Sequence, residues 1–289
     1  MKLYSKIYGL VGHPLKHSFS PLMHNAAFKK LKIPGEYHLF QKEPEELESF
    51  LNRLEDENIW GLNVTIPYKE KVLDFGFIEL DRSAPYAKEI RAINTIVKKG
   101  KSLKGFNTDV AGFLRHLNKL NFNPINKRVA ILGAGGAGKA VAYAVAKKGV
   151  SQIAIFDIDK DKAEGVSLML GELFPELNIS VVERIEQLDM IHKDLLINAT
   201  PIGLAEDDPC LIEDSMLHED LFVYDLIYNP SPTKLLSLAK DKGLSCSDGL
   251  GMLVYQGAFS FIYFTDTLIP YAKIVEVMWE AIDEALGRK

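Results

Sequence analysis

Short apolar runs alternate along the chain with stretches in which apolar residues recur every three or four positions, and this alternation predicts the elements. Ile7–Val11 reads as a strand, and Leu22–Leu31, following Ser20-Pro21, as a helix with Ser20 as its N-cap and Pro21 at the first helical position. Tyr37–Phe40 reads as a strand, Pro44–Leu54 as a helix, and Gly61–Ile66 as a strand running into a helix that starts at Pro67. A further helix is expected over Ala84–Ile90, then a hairpin of Thr95–Val97 and Leu103–Gly105 around Lys99-Gly100.

After a helix at Val110–Leu120 and an Asn/Pro-rich link at 121–126 the pattern tightens. Val129–Leu132, Ile153–Phe156, Val181–Val182, Leu195–Ile197 and Val223–Leu226 read as short buried strands, with helices at Ala137–Lys148 and Lys160–Leu170. Strands alternating with helices predict a parallel, doubly wound sheet. Beyond Asp248 the chain is helical, at Met252–Phe264 and Ile274–Leu286.

Length and composition bound this picture. A chain of 289 residues corresponds to two domains of about 150. With 34 basic against 39 acidic residues and a net charge of −5, it carries no bulk cationic field, so neither nucleic acid nor an anionic membrane surface is an expected partner. Cys210 and Cys246 lie far apart with no metal-ligand spacing, which fits a reducing cytoplasm and argues against a metal site. Lys2 and Lys6 imitate the start of an export signal, but the apolar run Ile7–Gly12 is cut at His13-Pro14. The uncharged stretch between Asp248 and Asp266 holds Gln256, Ser260 and three glycines, so it is read as a buried helix rather than a membrane span.

The sharpest chemical signal is Gly133-Ala134-Gly135-Gly136-Ala137-Gly138, a Gly-x-Gly-x-x-Gly pattern between an expected strand and an expected helix. Gly133 permits the turn, Gly135 the approach of a pyrophosphate to the backbone, and Gly138 close packing of helix on strand. The helix N-terminus supplies N–H groups to the anion. Asp157, at the end of the next strand, can accept hydrogen bonds from the adenosine ribose and would repel a 2′-phosphate, which favours NAD; it also suits a cap for the following helix. Lys160 and Lys162 are the nearest cations.

Polar clusters punctuate the first domain. Ser18 and Ser20 flank a helix N-terminus, an arrangement that binds carboxylates as well as capping the helix. Asn63 and Thr65 project from one face of their strand, and Lys69 follows in a first helical turn, where the macrodipole disfavours a cation. Asn94-Thr95 suits a turn, and Thr108 or Asp109 a cap. Together these clusters form the set of donors and acceptors that a polyhydroxylated, carboxylated ligand needs.

Taken in order, the motifs resemble the shikimate dehydrogenase family along essentially the whole chain. They are Gly12 with Ser18, Ser20 and Pro21; Asn63-Val64-Thr65-Ile66-Pro67 with Lys69; Ala92-Ile93-Asn94-Thr95; Gly105 with Asn107-Thr108-Asp109; the Gly133 loop; Asn198-Ala199-Thr200-Pro201 with Gly203; Asp225 with Tyr228; and Asp248-Gly249-Leu250-Gly251-Met252-Leu253 with Gln256.

The resemblance implies an α/β protein of two domains: an N-terminal α/β substrate domain over residues 1–110 and 252–289, and a Rossmann, doubly wound parallel-sheet dinucleotide domain over 111–251. It implies reversible NAD(P)H-dependent reduction of 3-dehydroshikimate to shikimate by a cytoplasmic monomer or homodimer. Lys69 and Asp109 would form the acid–base pair, with the lysine carrying the proton and the aspartate orienting it. Ser18 and Ser20 would hold the substrate carboxylate, and Asn63, Thr65, Asn94 and Gln256 its hydroxyls, with Tyr228 closing the site. Gly133, Ala134, Gly135, Gly136 and Ala137 would hold the pyrophosphate, Asp157 the adenosine ribose, and Thr200, Leu226 and Gly249 the nicotinamide end. Two departures stand out. The family's usual cofactor is NADP, held by an Asn-Arg-Thr sequence that here reads Asp157-Ile158-Asp159, so the missing arginine at Ile158 again favours NAD. Arg91 replaces a glycine usual in the family. Two other readings compete: an NAD-dependent quinate/shikimate dehydrogenase, and a non-catalytic dinucleotide sensor.

Overall fold

A computed structural model describes residues 5–15, 18–81 and 86–288. The chain divides into two compact units, Met1–Gly112 with Leu253–Lys289, and Phe113–Met252.

The first unit is built on β1 (Ile7–Gly12), α1 (Ser20–Lys30), β2 (Glu36–Gln41), α2 (Leu47–Asn52), β3 (Ile59–Val64), β4 (Ile78–Leu80), α3 (Ala87–Ile90), β5 (Thr95–Lys99) and β6 (Ser102–Phe106). Its sheet runs β2-β1-β3-β5-β6-β4. The pairs β1/β2, β1/β3 and β4/β6 are parallel, and β3/β5 and β5/β6 antiparallel. One face buries Val11, Leu62, Val64 and Ile96 against Leu47, Phe50 and Leu51 of α2. On the other, Tyr8 stacks on Phe28 of α1, and its hydroxyl donates to the carbonyl of Phe264 near the C-terminus.

The second unit continues through α4 (Asp109–Lys119), β7 (Arg128–Leu132), α5 (Gly136–Lys147), β8 (Gln152–Phe156), α6 (Lys160–Leu173), β9 (Asn178–Val182), β10 (Leu195–Asn198), β11 (Phe222–Asp225), α7 (Lys234–Asp241) and β12 (Cys246–Ser247). All pairs in its sheet are parallel, in the order β12-β11-β10-β7-β8-β9. The central strands β7, β8, β10 and β11 are apolar and buried through their middles, as a parallel sheet covered on both faces requires. The order reverses between β7 and β10, where ligands of doubly wound sheets bind outside the carboxyl ends of the strands. The helices α8 (Leu250–Thr265) and α9 (Tyr271–Ala285) complete the chain, and the boundaries between the units fall inside α4 and α8.

The uncharged stretch forms α8, and no helix among the described residues is long and apolar enough to cross a membrane. Several expectations need correction. No helix starts at Pro67: Tyr68 N–H closes a turn onto the carbonyl of Thr65, and only a short 3₁₀ turn follows at Lys71–Leu73. Lys69 is therefore not in the first turn of an α-helix, and the electrostatic argument from its placement falls. The helix expected over Pro44–Leu54 is confined to α2, and that over Ala84–Ile90 to α3, with Ala84 and Pro85 outside the described residues, as is Lys2.

Candidate active site

In the first unit the sheet brings its polar residues to one edge. Asn63, Thr95 and Phe106 lie in one row across β3, β5 and β6. Lys69 leaves β3, Asn94 precedes β5 and Asn107-Thr108-Asp109 follows β6, so chain segments distant in sequence converge there. The amide of Ile93 donates to the carbonyl of Lys69 at 2.7 Å, pinning the lysine's turn beside Asn94.

Lys69 Nζ donates to Asp109 Oδ2 at 2.7 Å, with both side chains largely out of water. The other carboxylate oxygen, Oδ1, accepts from Asn94 Nδ2 at 2.9 Å. Capping of α4 falls to Asn107, whose Oδ1 accepts from the amides of Asp109 and Val110, which leaves the Asp109 carboxylate free to face Lys69.

Asn94 is the hub. Its Oδ1 accepts from the amide of Thr108 and from Thr95 Oγ1, while Nδ2 faces Thr108 Oγ1 and Gln256 Oε1. Gln256, on α8, in turn accepts from Thr108 Oγ1 at 3.2 Å. Ser260, one turn further along α8 and fully buried, meets Asn63, Thr95 and Thr108. Ser260 is not among the site residues expected from the sequence, although its i, i+4 spacing from Gln256 puts both on one helix face. Asn63 is spent inside this network: Tyr37 donates to its Oδ1, and its Nδ2 donates toward Asn94, Thr95 and Ser260.

Ser20 does not cap α1. It is the buried first residue of the helix, and its amide donates to Ser18 Oγ. Thr65 is half-buried, and Gly12 leaves the space that its methyl group fills. Tyr228 belongs to the second unit, half-buried in the segment after β11.

In the second unit Phe156, Leu132, Asn198 and Asp225 form one row across β8, β7, β10 and β11. The next residue of each strand, Asp157, Gly133, Ala199 and Leu226, therefore stands at the carboxyl edge of the sheet beside the strand-order switch. Gly133 adopts φ +95°, and a Cβ there would meet the backbone of Ala199 and Thr200 within 3.0 Å. A Cβ on Gly138 would lie 2.1 Å from the carbonyl oxygen of Gly133, so α5 packs on the loop as closely as backbone allows. Gly135 is the N-cap of α5 and opens onto free space, with Gly136 and Ala137 in the first turn. An anion at this helix N-terminus meets unsatisfied N–H groups and the positive end of the helix dipole, so the loop fits a dinucleotide pyrophosphate. Gly249 lies directly against the carbonyl of Leu226.

Asp157 is not a helix cap, because Asp159 accepts from the amide of Lys162 at the start of α6. The Asp157 carboxylate instead accepts from the amides of Ala134 and Asp159 at 2.6 and 2.8 Å and braces the glycine loop. Ile158 is 96% exposed.

The N-terminal portion matches the family model of the shikimate dehydrogenase substrate binding domain over residues 10–96, and residues 249–282 match that of the shikimate 5′-dehydrogenase C-terminal domain. A shikimate dehydrogenase (NADP(+)) of Methanopyrus kandleri is 42% identical over 98% of this chain and 96% of its own. The chain belongs to the shikimate dehydrogenase family. Among solved family structures, that of Thermus thermophilus in complex with NADP(H) and shikimate is 31% identical, with a TM-score of 0.81 over 96% of this chain and 99% of its own. The Listeria monocytogenes shikimate 5-dehydrogenase, in complex with shikimate and NAD, is also 31% identical, with a TM-score of 0.81 over 96% and 98%. The preference for NAD expected from Asp157 and Ile158 finds no support in the curated family relatives, which are named for NADP(+).

Proposed function

We propose that this chain catalyses the reversible reduction of 3-dehydroshikimate to shikimate, on the route to chorismate and the aromatic amino acids, with NADP(H) as the hydride carrier. The observation that carries this reading is the Lys69–Asp109 ion pair, held by Asn94 at an edge otherwise lined with hydroxyls and amides. The dinucleotide, when bound on the second unit, supplies or accepts the hydride.

Reduction of the ketone leaves a developing alkoxide that needs one proton, and the Lys69 ammonium is the donor. Asp109 fixes the position of Nζ and balances its charge, so the proton leaves a lysine that is already oriented. In the oxidising direction the same nitrogen takes the hydroxyl proton. Ser18 and Ser20 at the start of α1 offer hydroxyls and the helix dipole to the substrate carboxylate. Thr65, Asn94 and Gln256 hold the ring hydroxyls, while Asn63, with its amide already committed, positions Thr95 and Ser260 beneath them.

On the second unit Gly133 to Ala137 cradle the pyrophosphate, and Thr200, Leu226 and Gly249 meet the nicotinamide. Lys160 and Lys162 at the start of α6, ion-paired with Glu183 and Asp159, are the cations that would turn to the 2′-phosphate in place of the family's arginine. The cysteines, both free thiols, accord with a cytoplasmic enzyme, a monomer or homodimer.

Initial rates with shikimate and quinate, each with NADP+ and NAD+, test the reading. The highest kcat/KM is expected for shikimate with NADP+. Turnover confined to quinate, or none with any pair, would overturn it.

A further inference from the structure

Asp225 ends β11 with its carboxylate fully buried, and the chemistry proposed above gives it no part. Its Oδ1 accepts from Asn198 Nδ2 at 3.0 Å and from the amide of Ile227 at 3.1 Å, and its Oδ2 from Thr233 Oγ1 at 2.7 Å. Both side-chain donors have a second duty. Thr233 Oγ1 accepts from the amide of Leu236 at the start of α7, so its single proton belongs to Asp225. Asn198 donates its other N–H to the carbonyl of Ile202, and its Oδ1 accepts from both the amide and the hydroxyl of Thr200.

The orientation of Asn198, and with it the course of residues 198–203, is thus set by a group that only accepts. That loop abuts Gly133, the first glycine of the pyrophosphate loop, through Ala199 and Thr200. On the other side of Asp225, the amide of Leu226 is bound to the carbonyl of Asn198.

We propose that ionised Asp225 is a positioning residue that holds the Asn198–Gly203 loop in its dinucleotide-binding form, and that protonating this carboxylate loosens the site. A protonated oxygen stops accepting and competes with Thr233 or Asn198 as a donor, so one of those bonds breaks and the chain of orientations reaching Thr200 loses its anchor.

Burial raises the Asp225 carboxyl to about 6, against the three hydrogen bonds that pull it down. The titratable groups on the surrounding elements are Asp248 and Cys246 from the β12 region, Lys234 of α7, and Asp208 and Cys210 of the loop before β11. Asp248 adds to the rise. Asp208 is held low by the amides of Ala205 and Gly203, and Lys234 reaches the carbonyl of Asp208. Burial raises Cys246 still further above neutrality. With its carboxyl raised to about 6, Asp225 changes charge between pH 5.5 and 8.

The inference rests on dinucleotide binding by the second unit, and the test separates the two. Dissociation constants of NADP+ and NAD+ are measured by calorimetry from pH 5.5 to 8 for the wild type and for Asp225→Asn, which keeps the shape but is neutral throughout. NAD+ removes the titration of the 2′-phosphate from the comparison. For the wild type we expect affinity for both to fall about fourfold from pH 8 to 5.5, beyond any change shared with the variant. Asp225→Asn should bind about tenfold more weakly at pH 8, with no such fall. A measurement on the wild type alone stands if that variant does not fold: the carbon-13 resonance of the Asp225 carboxyl should titrate at lower pH when the dinucleotide is bound, because the coupling is reciprocal. Binding with identical pH profiles in wild type and variant, or a carboxyl midpoint unmoved by dinucleotide, would overturn the inference while leaving the proposed function intact. No binding at any pH would overturn both.

Discussion

Lys69 Nζ and Asp109 Oδ2 stand 2.7 Å apart, joining a turn after the third strand of the first sheet to the first residue of α4. The pair is not a surface ion pair of small energetic consequence, because both side chains are withdrawn from water and Asn94 fixes the second carboxylate oxygen. Asp109→Asn keeps the shape but removes the charge that orients and balances the ammonium. A fall in kcat of about 10²-fold with little change in substrate KM is expected from steady-state rates. A proportional rise in KM with kcat intact would make Asp109 a binding residue instead.

Gly112 lies where a Cβ would come within 2.6 Å of the Cβ of Gln256 and 2.7 Å of its backbone nitrogen. Gly112→Ala must therefore displace Gln256, the α8 side chain that meets Asn94 and Thr108. The expected outcome is a loss of about 1–3 kcal/mol of stability from overpacking. Shikimate KM should rise about tenfold while the dinucleotide Kd stays unchanged, as calorimetry with each ligand would show.

Arg91 ends α3 in the left-handed region, at φ +48° and ψ +48°. An L side chain is strained there and glycine is not, which accounts physically for the glycine usual in the family at this position. The side chain is exposed, so little packing offsets the strain. Arg91→Gly is expected to stabilise the fold by about 1 kcal/mol in urea unfolding, with kcat unchanged.

His24 is completely buried, stacked on Tyr37 at 4.3 Å, and its ring nitrogens have no hydrogen-bond partner among the described residues. Burial lowers it from 6.5 to about 3. A group depressed in this way stays neutral in the fold while the unfolded chain takes up a proton below pH 6.5, so stability falls as the pH drops from 6.5 toward 3. At pH 5 the loss from this residue is about 2 kcal/mol. His116, lowered to about 4 mainly by burial, adds to the same slope. His24→Phe keeps the stack, so urea unfolding should show near wild-type stability at pH 7.5 and greater stability at pH 5. Equal losses in both proteins between these pH values would remove His24 as the cause.

Much of the fold is legible in the sequence because the second unit's central strands are apolar runs between turn residues. The Ile131–Gly138 stretch announces its own strand, loop and helix. What escapes is short or set by distant partners. Strand β12 is two residues long, and β4 owes its place to pairing with β6. Pro67 is as compatible with a turn as with a helix start, and the tertiary bond from Ile93 to Lys69 accompanies the turn. The candidate site divides in the same way. Lys69, Asp109 and Asn94 stand out as polar residues at the ends of apolar elements and Gln256 as a polar residue within one, and they meet in the structure. That Asn63 is internal scaffold, that Ser260 joins the network, and that Asn107 rather than Asp109 caps α4 depend on side-chain geometry that no spacing rule contains.

The central claim, that Lys69 carries the proton of a shikimate–NADP+ oxidoreduction, is tested most directly by comparing wild type and Lys69→Ala at saturating shikimate and NADP+, with shikimate binding measured on both. The account predicts shikimate-dependent formation of reduced nicotinamide by the wild type, and a kcat lower by about 10²–10⁴-fold in the variant with binding retained. A variant that binds shikimate and turns it over within a few-fold of wild type would contradict it.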